Sequence, residues 1–211
     1  MAYTFLDMLS TPDVQAAQAA NGARQLWETV ESDRSFDRFT EDEVAFIAAR
    51  DSFYMATISQ TGWPYVQHRG GPAGFLKVLD ERTLGFADFR GNRQYISLGN
   101  VAGDDRVALI LVDYPSRTRL KILAHLQVRD LKADPELAAK LALPGYRAVP
   151  ERAFVLKLVA FDWNCSQHIT PRYTARDIQS AMGEMGARVA ALEAENKALR
   201  EQLAGGRASP A

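Results

Sequence analysis

The chain has 211 residues, of which 47% are hydrophobic and 24% are charged, a composition that supports one globular domain with a real core and an appended segment. Its 25 lysines and arginines almost balance its 26 aspartates and glutamates, so the net charge of -1 gives no global attraction to nucleic acid or to an anionic membrane. A single cysteine excludes an internal disulfide and a zinc site built from cysteines.

The start of the sequence, MAYTFLDMLSTPDVQ, contains acids and a proline where a signal peptide has a basic start and an apolar run. The sequence also contains no apolar stretch of the roughly 18 residues that a membrane-spanning helix needs. Together with the single cysteine, these features predict a cytoplasmic protein that binds neither nucleic acid nor membrane.

Residues 1–50 are predicted to be a helical segment that packs on the domain after it. One helix start is Thr11-Pro12-Asp13, where proline occupies the first turn. A second start is Thr40, because the acids that follow favour a helix N-terminus and Glu43 completes a capping box with the threonine.

Residues 51–173 change to the pattern of a β domain. Short runs rich in β-branched and aromatic residues alternate with turn signals, which favours an antiparallel barrel or sandwich. A short helix is predicted over residues 134–142, and a largely buried last strand over residues 153–163. So many strands in one domain favour a closed barrel, because closure removes exposed edges. The runs are SFYMATIS, YVQHRGG, GFLKVLD, TLGFADF, RVALILVDY and RLKILAHLQV.

Residues 174–211 form a third segment, predicted as a helix with a flexible end. Between residues 178 and 203, apolar side chains and one asparagine recur at heptad positions a and d. One interpretation is a short parallel coiled coil between two chains, and the other is an amphipathic helix that packs on its own barrel. The a positions are Met182, Val189, Asn196 and Leu203, and the d positions are Ile178, Met185, Leu192 and Leu199.

Basic and amide side chains concentrate at three strand ends in the central region, although the protein as a whole is nearly neutral. Arginine offers a planar fork that matches phosphate oxygens, lysine a point charge and amides neutral hydrogen bonds. These groups indicate a pocket for one anionic ligand, or else solvated charges at strand ends. The segment GGPAG has the wrong form for a P-loop or a dinucleotide fingerprint. The three stretches are HRGGPAGFLK, DFRGNRQY and RTRLK.

The stretch FDWNCSQHITPRY places the only cysteine, Cys165, three residues before His168. A zinc site needs more ligands than this pair, and a cysteine nucleophile needs an oriented base. The expected role of Cys165 is therefore packing. No catalytic residue and no metal ligand is assigned from the sequence.

The order of these segments over about residues 40–173 resembles the pyridoxamine 5'-phosphate oxidase-like family of FMN-binding split barrels. The resemblance lies in the series SFYMATISQTGWPYVQHRGGPAGFLKVLD, LGFADFRGNRQYISLGNV and RVALILVDYPSRTRLKILAHLQV. It implies a mainly β fold with flanking helices (α+β): a split β-barrel with N-terminal helices and a C-terminal coiled-coil helix.

The resemblance also implies which residues contact the cofactor. In that family a basic strand motif and a small polar-Arg-Lys triplet hold the FMN phosphate, and a later basic residue approaches the flavin. This sequence has a longer spacing in the first motif and replaces the triplet by Asn92-Arg93-Gln94. The cofactor-binding residues predicted in this way are Arg69, Lys77, Asn92, Arg93, Gln94, Lys121, Trp163 and His168.

The function implied by the resemblance is that of an FMN-dependent oxidoreductase. It would act as a homodimer with the flavin at the subunit interface, and a nicotinamide would be the electron donor. True pyridoxamine phosphate oxidase activity is not expected, because QHITPRYTAR lacks the arginine and histidine pattern that the vitamin enzyme uses for its substrate phosphate. Two alternatives stay open: a non-enzymatic flavin or haem binder or sensor, and a deazaflavin-dependent reductase.

Overall fold

The computed structural model describes residues 4–28, 35–164 and 166–206. Seven strands form one antiparallel sheet in the order β2-β1-β5-β6-β7-β4-β3. The strands are β1 (Ser52–Ile58), β2 (Pro64–Gly70), β3 (Lys77–Asp80), β4 (Thr83–Phe89), β5 (Arg106–Asp113), β6 (Thr118–Arg129) and β7 (Pro150–Asn164). The helices are α1 (Thr4–Leu9), α2 (Pro12–Ala20), α3 (Arg24–Glu28), α4 (Glu41–Ala48), α5 (Ile96–Gly103), α6 (Pro135–Leu141) and α7 (Ala175–Gly206).

The sheet curls on itself, as the predicted barrel requires. Arg69 on β2 contacts Asp88 on β4, with 2.6 Å between Nη1 and Oδ1, although β1, β5, β6 and β7 lie between these two strands in the hydrogen-bonded order. The longest pairing joins β6 to β7, with one register shift after Leu123. The predicted mainly β split barrel with flanking helices is confirmed.

The inner face of the sheet forms one aromatic-rich core. Phe86 on β4 lies at its centre, with ring centroids 5.3 Å from Phe53, 6.4 Å from Phe75 and 5.4 Å from Phe154. Strand β1 shows the period-two pattern that its sequence predicts, because Phe53, Met55 and Thr57 are buried while the residues between them are more exposed.

The helix starts predicted from the sequence are confirmed. The Thr11 side chain accepts from the backbone N–H of Val14 at the start of α2. At the start of α4, Thr40 and Glu43 form the predicted capping box. The short helix predicted near residue 134 is α6, whose first turn is capped by the carboxylate of Asp134.

The chain divides into two compact units, residues 1–113 with 117–168, and residues 114–116 with 169–211. The first contains the sheet. The second contains α7, a helix of 32 residues whose start is capped because the Asp177 N–H donates to the Thr174 hydroxyl oxygen and the Thr174 N–H donates to the Asp177 carboxylate. In the part of the chain that the structure describes, no helix combines the length and the apolar character needed to cross a bilayer.

We predict that Phe86→Ala lowers the free energy of unfolding by about 3–5 kcal/mol, because it leaves a cavity among three aromatic rings. Urea denaturation of the variant and the parent measures the difference. Leu26→Ala is the control: Leu26 on α3 is 74% exposed, so its loss should change stability by less than about 0.5 kcal/mol. Similar losses from the two substitutions would contradict the position of the core.

Candidate functional site

A polar cleft of about 250 Å³ lies between β2, the end of β4, the loop after β4 and the first turn of α5. Strand ends and a helix N-terminus therefore meet around one concave surface, the usual setting of a ligand site. The side chains that line it include Tyr65, Gln67, Arg69, Asp88, Asn92, Arg93, Gln94, Tyr95, Ser97 and Glu151.

Strand β2 contributes to the cleft through alternate residues. Tyr65, Gln67 and Arg69 are partly buried while their neighbours are exposed, because successive side chains of a strand point to opposite faces. The Gln67 side-chain oxygen accepts a hydrogen bond of 2.8 Å from the hydroxyl of Ser97 on α5. This contact fixes the start of α5 against the strand.

Asp88 holds two guanidinium groups in place. Its Oδ1 accepts from Arg69 Nη1 at 2.6 Å, and its Oδ2 accepts from Arg152 Nη1 at 2.8 Å. Asp88 is buried, and the Arg69 guanidinium also lies 5.3 Å from the centroid of the Phe154 ring. Arg69 therefore presents its charge in a fixed orientation, without the freedom of an exposed arginine.

Glu151 is the second carboxylate of the cleft. Its Oε1 accepts from Arg90 Nε at 3.0 Å and from the Tyr95 hydroxyl at 3.2 Å, and its Oε2 accepts from Arg152 Nη2 at 3.1 Å. These donors lower the pKa of Glu151 below its ordinary value of 4.5, and the hydrogen bond from Arg90 has the largest effect. Glu151 is therefore ionised at neutral pH and joins β7 to the loop after β4.

The loop after β4 has an unusual backbone. Arg93 has φ 62° and Tyr95 has φ 53°, so two residues with large side chains adopt the left-handed conformation. Such a conformation costs about 1–2 kcal/mol per residue and persists only where surrounding contacts enforce it. Here Asn92 Oδ1 accepts from the backbone N–H of Gln94, and Tyr95 is held by Glu151.

Arg93 and the start of α5 offer donors that have no acceptor in the part of the chain that the structure describes. Within residues 4–28, 35–164 and 166–206, the Arg93 side chain forms neither an ion pair nor a hydrogen bond. Tyr95, the N-cap residue of α5, makes no side-chain capping bond to the described residues. An uncapped helix N-terminus carries a partial positive charge and free N–H groups, which favour an anion.

The charges around the cleft do not balance. Arg69 and Arg93 line the cleft with the two carboxylates, and two further arginines outside the lining bind those carboxylates. Counted together, four guanidinium groups and two carboxylates leave an excess of two positive charges among the described side chains. A phosphate monoester carries about -1.5 to -2 at neutral pH and matches this excess. The guanidinium groups belong to Arg69, Arg90, Arg93 and Arg152, and the carboxylates to Asp88 and Glu151.

The structure brings together four of the residues singled out in the sequence, Arg69, Asn92, Arg93 and Gln94, which all line the cleft. Lys77 does not line it; this residue begins β3, opposite Gly85 in the sheet register.

Lys121 also lies outside the cleft. Its Nζ is 2.5 Å from Asp162 Oδ2 and 4.8 Å from the centroid of the Phe5 ring, so its ammonium group lies between a carboxylate and an aromatic ring of α1.

Trp163 and His168 lie outside the cleft as well. The indole N–H of Trp163 donates to Glu43 Oε1 at 2.7 Å, and the ring packs edge-on against Phe46. His168 is exposed, in a turn with φ 62°. Within one chain, Trp163 therefore fastens the end of β7 to α4. Cys165, for which packing was expected, lies outside the described residues.

The sequence reasoning missed Gln67, Asp88, Ser97, Glu151 and Arg152, and it did not predict helix α5. Asp88 had one available signal, since it is an acid inside the apolar run TLGFADF, where a buried charge needs a partner. Glu151 and Arg152 had none, because the partners that bring them to the cleft, on β4 and in the loop after it, lie more than 50 residues away along the chain.

No cluster of three or more metal-ligating side chains occurs among the residues that the structure describes.

The fold and the cleft define a class, antiparallel barrel proteins with a polar, arginine-bearing cleft beside the strand ends. A family model for pyridoxamine 5'-phosphate oxidase matches residues 39–158, more than half of the chain. The chain belongs to this family, which the order of the sequence segments predicted.

Several solved structures are similar to this chain. A candidate pyridoxamine 5'-phosphate oxidase from Lactobacillus delbrueckii is 24% identical, with a TM-score of 0.45 over 60% of this chain and 94% of that one. An F420 reductase is 17% identical, with a TM-score of 0.43 over 59% and 98%. An FMN-binding protein from Syntrophomonas wolfei is 15% identical, with a TM-score of 0.43 over 75% and 97%. A comparison with curated proteins gives no match.

We predict that the stabilising effect of Glu151 depends on pH. Because its pKa is lowered on folding, the stabilisation is present above the ordinary value of 4.5 and is lost as the pH falls through the lower pKa of the folded state. Urea denaturation of the parent and Glu151→Gln from about pH 6 to about pH 3 tests this. The parent should be more stable at the upper end, and the difference should shrink on acidification; a difference independent of pH would contradict the ion-paired role of Glu151.

Proposed function

We propose that this protein is an FMN-dependent oxidoreductase that binds the cofactor phosphate in the cleft beside β2, β4 and α5. The observation that supports this most strongly is the excess of two positive charges, among the described side chains, around the Arg93 guanidinium and the uncapped start of α5. Family membership supports the same cofactor, because the resemblance to the split-barrel family implies FMN.

The donor set of the cleft fits a phosphate monoester. Arg93 would supply a bidentate guanidinium, and Asn92 and Gln94 would add neutral hydrogen bonds from the same loop. The first-turn N–H groups of α5 would face the same anion. Arg69, already held by Asp88, would add positive charge without needing to be immobilised on binding.

FMN, when bound, would supply hydride or electron transfer, and the protein would supply binding, orientation and hydrogen bonds that tune the cofactor. Such chemistry needs no acid–base constellation among the side chains, so no catalytic residue is assigned. The cofactor-binding domain is proposed to span residues 51–173, with residues 1–50 packed on it.

We place the flavin of this proposal between two subunits, as the resemblance implies. The outer face of β1 and β2 supports a homodimer, because Tyr54, Ile58 and Val66 are exposed there beside Trp63. In a dimer Lys77 and His168 are proposed as contacts to the remainder of the cofactor. Lys121 and Trp163 would contact it in addition to their bonds with Asp162 and Glu43. We also propose that a nicotinamide is the electron donor and that the protein is cytoplasmic.

The experiment that tests this function is the absorbance spectrum of the purified full-length protein, before and after FMN is added, followed by assays of NADH and NADPH oxidation. A flavin spectrum with turnover of either nicotinamide is the expected result. A bound flavin without turnover would indicate a non-enzymatic binder or sensor. A deazaflavin or haem spectrum, with no uptake of FMN, would overturn the cofactor assignment.

We predict that Arg93→Ala weakens FMN binding about tenfold or more, because a hydrogen bond to a charged group contributes about 1.5–3 kcal/mol. Flavin fluorescence titration measures the dissociation constants. Arg117→Ala is the matched control, since Arg117 is also left-handed, with φ 56°, but lies in the turn between β5 and β6, outside the cleft lining. Equal effects of the two substitutions would contradict the phosphate site.

A further inference from the structure

Helix α7 exposes a continuous row of large apolar side chains. Each of them is between 46% and 71% exposed, and they recur over most of the 32 residues of the helix. Solvated stripes of this length are unfavourable, since burial of apolar surface stabilises a protein by about 25 cal/mol per Å². The row consists of Ile178, Met182, Met185, Val189, Leu192, Leu199 and Leu203.

The spacing of the row selects the kind of surface that can cover it. The side chains alternate three and four residues apart, which is the period of a two-stranded coiled coil. The one polar residue in this series is Asn196, which occupies an a position between Leu192 and Leu203. A partner with the same period would pack side chain by side chain along this seam. A second copy of α7 has that period.

We infer that α7 pairs with α7 of a second copy as a parallel, in-register coiled coil. Charge complementarity identifies a second copy of α7 as the partner. In a parallel pair, Arg188 at g lies opposite Glu193 at e of the second copy, and Glu195 at g lies opposite Arg200 at e. Each pair joins opposite charges and occurs twice in a dimer.

The asparagine decides the direction of the two helices. In a parallel pair, Asn196 meets Asn196 of the second copy, so the two amides hydrogen-bond to each other inside the seam. In an antiparallel pair that aligns a with d positions over residues 178–203, Asn196 meets Met185 and its amide is buried without a partner. An unsatisfied buried polar group costs about 1–3 kcal/mol, which favours the parallel arrangement.

This association goes beyond the flavin function, because none of the residues of the seam lines the cleft. It would hold two polypeptides together whether or not FMN is bound. The C-terminal helix is therefore a second device for dimerisation, separate from any interface around the cofactor.

Disulfide formation in the full-length chain tests the inference. In a Cys165→Ser background, Leu199→Cys places thiols at a d position, and Ala194→Cys places them at the outward f position. In a glutathione redox buffer, the equilibrium constant for the symmetric disulfide dimer should be at least about tenfold higher for Leu199→Cys than for Ala194→Cys, because helix pairing raises the effective thiol concentration at the d position. The difference should be the same with and without FMN.

Two outcomes would overturn the inference. If Leu199→Cys cross-links no more than Ala194→Cys, the seam is covered by something other than a second α7, such as the barrel of the same chain. If cross-links form only in an equimolar mixture of Leu199→Cys and Met182→Cys proteins, the helices are antiparallel, because those positions face each other only in that arrangement.

A charge exchange tests the proposed register. Arg188→Glu in the Leu199→Cys background should lower the disulfide equilibrium constant by about two- to fivefold, because it faces Glu193 of the second copy with like charge. Adding Glu193→Arg to the same chain should restore it. An unchanged disulfide equilibrium constant after Arg188→Glu, or no recovery of it when Glu193→Arg is added, would contradict this register.

Discussion

The ion pairs of Asp88 connect the fold to the site. This carboxylate is buried on β4, and a buried charge is tolerated only when opposite charges compensate it. Its two partners come from β2 and β7, so a single side chain joins strands that lie near opposite ends of the sheet order. The contact with Arg69 closes the barrel between β2 and β4 and aims Arg69 at the cleft, while Arg152 lies opposite Asp88 on the neighbouring strand.

The remaining features of the cleft depend on this arrangement. Arg152, which Asp88 positions, also binds Glu151 and lies over the Tyr95 ring, so it supports the loop in which Arg93 and Tyr95 are left-handed. Both carboxylates of the cleft thus bind structural arginines, and Arg93 is left without an acidic partner among the described residues. Binding sites commonly combine strained backbone with prearranged donors, because both reduce the reorganisation that binding requires.

Local features of this chain could be predicted from the sequence, whereas contacts between distant residues could not. Caps at Thr11 and Thr40 depend on neighbours three residues away, and the strands follow from alternation, so both were predicted correctly. Helix α5 was missed because its N-cap, Tyr95, is a residue type that does not cap helices. The Trp163–Glu43 hydrogen bond joins residues 120 positions apart, and no local pattern indicates it. The basic loop at Asn92 and Arg93 was found because its residue types match phosphate chemistry regardless of tertiary structure.

The most direct test of phosphate binding in this cleft is a comparison of FMN with riboflavin, which lacks the phosphate, on the parent protein and on Arg93→Ala. If the cleft binds the phosphate, the parent should bind FMN at least about tenfold more tightly than riboflavin, since charge-assisted hydrogen bonds would be lost with the phosphate. Arg93→Ala should then weaken FMN and leave the affinity for riboflavin unchanged. Equal affinities of the parent for the two flavins, or an equal loss of both in the variant, would contradict a phosphate site at Arg93.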